Sequence, residues 1–304
     1  MPRHFLADTD ISTAEQATIL DRAMDMKARP ADFRGILSGR VLAMIFQKSS
    51  TRTRVSFEAG MVQLGGHAIF LSPRDIQMGR GEPVADTGKV LSRYCDAIMI
   101  RTFSHDEVEA LAGSSSVPVV NGLDDLLHPC QALADLMTLR EARGTVKAEQ
   151  LVFVGDGNNV AHSLMLAGAI AGTHVRVVCP RDYAPKPEIL ARAKALAQKT
   201  GARIDVVHDF SGVDGADAVY TDVWASMGQE GEAEKRKAAF AGYTVDARMM
   251  KRAKKDAIFL HCLPAHRGEE VAAEVIDGPQ SRVFDQAENR LHAQKALLTF
   301  LLGR

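Results

Sequence analysis

The chain has 304 residues, with 37 Lys and Arg against 38 Asp and Glu and a formal net charge of -1. That balance excludes a bulk nucleic-acid or membrane-surface binder, so any anion site must come from local clustering. At 46% hydrophobic and 25% charged, the composition is that of a soluble globular protein, long enough for one large domain or two ordinary ones. The four cysteines, Cys95, Cys130, Cys179 and Cys262, form no CxxC pair, which argues against a zinc knuckle or a thioredoxin-type site. The start, MPRHFLADTD, lacks the apolar stretch of a secretory signal. No apolar run reaches the ~18 residues of a membrane span. The expected setting is the cytoplasm, with reduced thiols.

In chain order, Ser12 is placed to cap a helix over residues 12–28, with Ala14, Ala17, Leu20 and Met24 on one face. VLAMIF (41–46) is a short apolar run that suits a buried strand. QKSSTRTR follows, then helical spacing at Val55, Phe57, Met61 and Leu64, a stop at Gly65-Gly66, and a second strand in HAIFL, which together make a βαβ unit. Further strands are predicted over 97–101 (AIMIR) and 117–120 (VPVV). The second half predicts strands over 151–155, 175–179, 203–207, 217–221 and 257–261, helices over 159–171 and 187–200, and a last helix over 286–302. Strands alternating with helices predict parallel sheets covered on both faces. Two such runs predict two α/β domains, each a parallel sheet flanked by helices. The boundary is expected near 135–150, where the helix QALADLMTLREARG would bridge them. Ligands in such folds sit beyond the carboxyl ends of strands.

Four segments fall there. SSTRTR (Ser49 to Arg54) lies between a strand and a helix, so its backbone N–H groups and the helix dipole favour an anion. Ser50, Thr51 and Thr53 add hydroxyls. Arg52 and Arg54 are two apart and point different ways, so one can face the anion while the other serves structure. It is not a Walker A motif, because the one GK pair, Gly88-Lys89, is followed by Val90. Next, Arg101 ends a strand and HPCQ (His128 to Gln131) precedes a helix; Arg, His and Gln there can donate to one small oxygen, as acyl or carbamoyl transfer requires. A His before Pro equally serves as a turn or cap residue, and Cys130 as a small buried one. GDGNN (Gly155 to Asn159) opens a helix like a dinucleotide fingerprint, but Val160 stands at the third glycine position and Cys179 where a ribose-binding acid belongs. Its asparagines can instead hold an amino-acid backbone. Finally, Asp222 at a strand end suits an ammonium group or, equally, a helix cap. Ser226, Met227 and Gly228 form a small adaptable loop after it. HCLPAHRG (His261 to Gly268) ends another strand; Leu263-Pro264 predicts a constrained turn, trans or cis, and Cys262 sits where a functional thiol would, with a structural thiol as the alternative. Arg290, in ENR, is a further cation, for which the plain reading is a surface role.

Taken together, STRTR, HPCQ, GDGNN, SMG, HCLP and ENR resemble the transcarbamoylase family, nearly end to end, and within it the ornithine branch. That resemblance implies a carbamoyl phosphate domain over 1–135, with a C-terminal helix about 287–304 packing back on it, and an ornithine domain over 136–286. It implies transfer of the carbamoyl group to the δ-amine of L-ornithine, giving citrulline and phosphate in arginine biosynthesis. A homotrimer, or a multiple of trimers, is expected. Carbamoyl phosphate is already activated, so no cofactor and no metal is expected. By the resemblance, Ser50, Thr51, Arg52 and Thr53 bind phosphate, and Arg101, His128, Pro129, Cys130 and Gln131 hold the carbamoyl group or its phosphate. Gln77 reaches a neighbouring subunit's site, Cys262 and Leu263 line the centre, and Arg290 completes the carbamoyl phosphate site. Asn159, Asp222, Ser226 and Met227 bind ornithine, and Arg101, His128 and Cys262 are the expected catalytic residues.

Three rivals remain at this stage. An NAD-dependent oxidoreductase is opposed by Val160 and Cys179. A sister transcarbamoylase using putrescine or another amine is disfavoured by Asp222 with Ser226-Met227-Gly228. A non-catalytic assembly partner is disfavoured by the full set of polar groups.

Overall fold

The computed structural model describes residues 2–74, 76–78, 81–225, 228 and 230–303. Two compact units are formed: Met1–Ala134 with Glu288–Arg304, and Asp135–Ala287. The helices are α1 (Thr13–Ala28), α2 (Thr51–Gln63), α3 (Val84–Tyr94), α4 (His105–Ser114), α5 (Pro129–Arg143), α6 (Asn159–Ala171), α7 (Pro187–Thr200), α8 (Ala233–Ala239), α9 (Ala247–Met250), α10 (Ala273–Ile276) and α11 (Val283–Leu301). The unit boundaries fall inside α5 and α11. Among the described residues no helix is long and apolar enough to cross a membrane.

The first unit holds a parallel sheet of β1 (Val41–Phe46), β2 (His67–Leu71), β3 (Ala97–Arg101) and β4 (Val119–Leu123), ordered β2-β1-β3-β4. Ser12 does cap α1: its hydroxyl accepts from Glu15 N–H while the Glu15 carboxylate accepts from Ser12 N–H, a reciprocal box. The strand expected over 117–120 begins two residues later. Pro118 has no N–H to give the ladder, so pairing starts beyond it.

The second unit holds β5 (Gln150–Val154), β6 (His174–Val178), β7 (Ile204–Val207), β8 (Ala218–Thr221) and β9 (Ile258–His261), all parallel and ordered β7-β6-β5-β8-β9. Helix α6 is buried from Val160 to Ala171, as expected of a helix whose sequence is apolar nearly all round.

Strand order locates the chemistry. Chain direction across the sheet reverses between β1 and β3 in one unit and between β5 and β8 in the other. Crevices open at such reversals, beyond the strands' carboxyl ends. SSTRTR follows β1, Arg101 ends β3, GDGNN follows β5, and Asp222 follows β8.

Candidate active site

In the first unit Ser50 caps α2, its hydroxyl accepting from Thr53 N–H at 3.2 Å. Arg54 takes the structural role: its guanidinium lies 3.7 Å from the Phe70 ring centroid and its Nε donates to Glu58 at 3.0 Å. Arg52 is the half-buried one. Arg290, given a surface role by the plain sequence reading, is instead 3% exposed. One of its nitrogens, Nη1, donates to Gln131 Oε1 at 2.6 Å and the other, Nη2, to Thr53 Oγ1 at 3.1 Å. A guanidinium fork can hold two acceptors in one plane, which an ammonium cannot. The helix α11 thereby fastens the STRTR and HPCQ segments to each other.

His128 is buried, and its carbonyl accepts from the Gln131 and Ala132 N–H groups that start α5. Burial, with Arg290, Arg101 and Arg52 nearby, holds its pKa well below the ordinary imidazole range. The ring is therefore neutral at pH 7 and carries one donor and one acceptor nitrogen. Cys130 is turned into the core, its thiol donating to the Asn121 carbonyl at 3.4 Å, and burial pushes it up to about 12. A thiol in that state contributes no nucleophile, so a binding role at this position falls to its backbone. Pro129 occupies the first turn of α5, where a missing N–H costs nothing.

The turn before His128 is held by Asp124, whose Oδ1 accepts from the N–H groups of Leu126 and Leu127, both at 2.7 Å. Its Oδ2 accepts from Asn121 at 2.8 Å and faces His105 Nδ1 at 2.6 Å. The hydrogen bond with Asp124 raises the His105 pKa, against burial. A base raised in the folded state stabilises fully below its unfolded pKa of about 6.5 and loses that contribution as pH rises through the folded value. The parent is therefore expected to melt about 2 °C above His105→Gln near pH 6, with the gap closing as pH climbs above neutrality. Melting curves across that range check it, and a constant gap would refute the assignment.

In the second unit Asn158 caps α6, its Oδ1 accepting from the Val160 and Ala161 N–H groups. Its Nδ2 donates to Asp222 Oδ2 at 2.9 Å. Asp222 is buried and follows β8 without opening a helix, so the capping alternative falls away. Its other oxygen, Oδ1, accepts from the Cys262 thiol at 3.0 Å. Asn159 begins α6 beside its capping neighbour. Gly157 has a packing reason: a Cβ there would come within 2.3 Å of Pro185 N, and its N–H donates to Tyr183 O. Gly157 thus serves contact with the segment before α7, without any need for a dinucleotide.

The turn carrying Cys262 is strained. The strain lies at Leu263, whose φ is 60°; the Leu263-Pro264 peptide that follows is cis. A left-handed β-carbon residue costs on the order of 1–3 kcal/mol, held only where neighbours over-determine it. Here Leu263 N–H donates to His261 Nδ1 at 2.9 Å, and His261 Nε2 meets Glu270 Oε1 at 3.1 Å. Accepting at Nδ1 leaves the proton on Nε2, so the tautomer is fixed. Burial opposes it, but bonds from His261 and from His266 N–H hold the Glu270 carboxyl below its usual range. Beyond β8, Arg236 donates to Asp156 Oδ2 at 2.7 Å and to the Trp224 carbonyl at 2.9 Å, tying the segment after Asp222 to GDGNN.

Among the described residues, two groups of side chains bring ligand-type atoms within 4.8 Å of one another: Asp222, His261 and Cys262, and His266, Glu269 and Glu270. Neither has the character of a metal site. Both nitrogens of His261 are engaged, Glu269 is paired with Lys237 at 2.9 Å, and Glu270 already serves His261.

Residues 3–141 match the family described as "Aspartate/ornithine carbamoyltransferase, carbamoyl-P binding domain", and residues 147–301 match its "Asp/Orn binding domain". The chain belongs to the aspartate/ornithine carbamoyltransferase family. Among its relatives, the ornithine carbamoyltransferase of Symbiobacterium thermophilum is 57% identical over 304 residues, covering 99% of this chain and 98% of that protein. That of Acidothermus cellulolyticus is 54% identical over 303 residues, covering 99% and 97%. The solved ornithine carbamoyltransferase of Pyrococcus furiosus superposes with a TM-score of 0.96 at 52% identity, covering 99% of this chain and 97% of that one. That of Gloeobacter violaceus gives 0.90 at 44%, covering 99% of each. These matches set aside the oxidoreductase and assembly-partner readings.

Within this carbamoyltransferase, the structure brings Thr53, Gln131 and Arg290 into direct contact and sets Arg52, Arg101 and Arg290 around His128. It joins Asp222 to Cys262, which Leu263 follows directly in the chain. Gln77 is exposed between β2 and α3, and no side-chain hydrogen bond links it to these groups among the described residues. Thr51 is exposed at the start of α2. Ser226 and Met227 lie outside the described residues. Sequence reasoning missed Asn158 as the partner of Asp222, and the His261–Glu270 support of the HCLP turn. The doubled asparagine at a helix start was the one signal for the first.

Proposed function

We propose that this chain is an ornithine carbamoyltransferase, transferring the carbamoyl group of carbamoyl phosphate to the δ-amine of L-ornithine to give L-citrulline and phosphate. The observation that carries the reading is Arg290 bridging Thr53 and Gln131, with Arg101 and Arg52 around a neutral His128. Such a set suits a dianion next to a polarised carbonyl, and the relatives named above, ornithine carbamoyltransferases, support it.

In this reading the α2 N-terminus, Ser50, Thr51, Arg52 and Thr53 hold the phosphate, and Arg290 completes its cradle. Arg101, His128 and Gln131 donate toward the carbamoyl oxygen as it gains charge. The nitrogen lone pair forms the new C–N bond, the C–O bond to phosphate breaks, and phosphate leaves with that electron pair. The amine must first shed a proton. A lysine-like amine of pKa about 10.4 costs roughly 4–5 kcal/mol to neutralise at pH 7. Asp222 with Asn158 and Cys262 orients the amino acid. Cys262 and desolvation of the amine offset that cost. Asn159, Leu263, Ser226 and Met227 complete the amino-acid side, and Gln77 serves a neighbouring copy in a trimer. The four free cysteines fit a reducing, cytoplasmic setting.

The test is citrulline formation from carbamoyl phosphate and L-ornithine by the folded protein, with L-aspartate and putrescine as competing acceptors. Turnover with ornithine alone is expected. Preference for aspartate or putrescine would overturn the substrate assignment.

A further inference from the structure

Strand geometry singles out a residue that this reaction scheme has not used. Tyr220 precedes Asp222 by two, so the two side chains leave the same face of the chain where it runs out of β8. The parallel strands β8 and β9 align Thr221 with His261, which sets Asp222 beside Cys262 and Tyr220 on the diagonal to Cys262. Two residues along and one strand across is about 8 Å between Cα atoms, within the span of a tyrosine. The ring is wholly buried, 5.6 Å from that of Phe153. Its hydroxyl is enclosed and has no hydrogen-bond acceptor at bonding geometry among the described residues. The ionisable groups that face it are Asp135 from α5, Cys262 from the turn after β9, and Asp222 from its own strand. Burial, then those three groups, push the phenol well above its ordinary range, so it remains a donor throughout the working pH range.

We infer that Tyr220 is a positioning residue for Cys262, its O–H directed at the sulfur while the thiol's own proton is directed at Asp222. The inference rests on the carbamoyl-transfer reading for its meaning, but its geometry does not. Donors then run one way, from phenol to thiol to carboxylate. The Cys262 rotamer is fixed, and a hydrogen bond to the sulfur favours its charged form over the neutral thiol. A purely structural tyrosine makes the opposite prediction. Losing an unsatisfied buried hydroxyl would leave the thiol's chemistry untouched.

Cys262 is the half-exposed cysteine, and Cys95, Cys130 and Cys179 are buried, so alkylation by iodoacetamide can be read at Cys262 by peptide mass. In Tyr220→Phe the midpoint of the pH–rate profile for that alkylation is expected to rise by about one unit, equivalent to about 1.4 kcal/mol. KM for ornithine should rise several-fold, with KM for carbamoyl phosphate unchanged. A midpoint and ornithine KM equal to the parent's would overturn the role. Should the variant fail to fold, replacing the four tyrosines with 3-fluorotyrosine supplies a more acidic donor at the same position. The midpoint should then fall, and an unmoved midpoint would equally sink the idea. Citrulline formation by the parent is scored separately, so failure of the substrate assignment and failure of this role give different results.

Discussion

Asp222→Ala is expected to lower kcat/KM for ornithine by about a thousandfold while changing KM for carbamoyl phosphate less than about threefold. The carboxylate is 6% exposed and both its oxygens are held, one by Asn158 Nδ2 and the other by the Cys262 thiol. A charge already oriented and desolvated loses little entropy when it receives an ammonium group, so most of the pairing energy appears as affinity. Truncating one partner of a buried charged pair typically costs about 3–5 kcal/mol, a factor of roughly 10²–10³ or more. Asp222→Asn keeps the shape and loses the charge, so it should be nearly as impaired. Steady-state kinetics with each substrate varied in turn decide the matter, and an unchanged ornithine response would remove Asp222 from the site.

Arg290→Met should show the complementary pattern, with KM for carbamoyl phosphate raised about a hundredfold or more and ornithine handling altered only secondarily. Methionine fills much of the same volume without stranding a charge. It deletes the fork that joins Thr53 to Gln131, and one of the three cations around His128. Each lost charge-assisted hydrogen bond is worth about 1.5–3 kcal/mol. A second readout is thermal. Phosphate should raise the melting temperature of the parent, because a ligand that binds only the folded state stabilises it by mass action, and that rise should vanish in the variant. A full phosphate-induced shift in Arg290→Met would place the anion elsewhere.

Local features of the fold were readable from sequence because they are decided locally. Ser12 capping α1, the apolar run of β1 and the opening of α6 at GDGNN each depend on neighbours within a few residues. Pro118 delayed β4 for the same kind of local reason, one that a pattern of apolar residues does not register. The site was harder. Arg290 lies 237 positions from Thr53 and 159 from Gln131, and nothing in ENR distinguishes a buried guanidinium from a solvated one. Only the resemblance assigned it. Asp222 as cap or as ligand could not be separated until β8 was seen to end without a helix following. Tyr220 was hidden differently: in a strand, a tyrosine is expected to be core, and its relation to Cys262 depends on register between β8 and β9.

The placement of Arg290 near the end of the chain has a bearing on biosynthesis. The helix start that carries Thr53, and the turn that carries His128, leave the ribosome long before Arg290 does. At 5–20 residues per second, the 156 positions between Ala134 and Arg290 take roughly 8–30 s to translate. For that interval a nascent chain displays an incomplete cradle, with Gln131 and Thr53 lacking their common donor. The bridge from Arg290 to Thr53 and Gln131 is therefore completed late, when the closing segment docks.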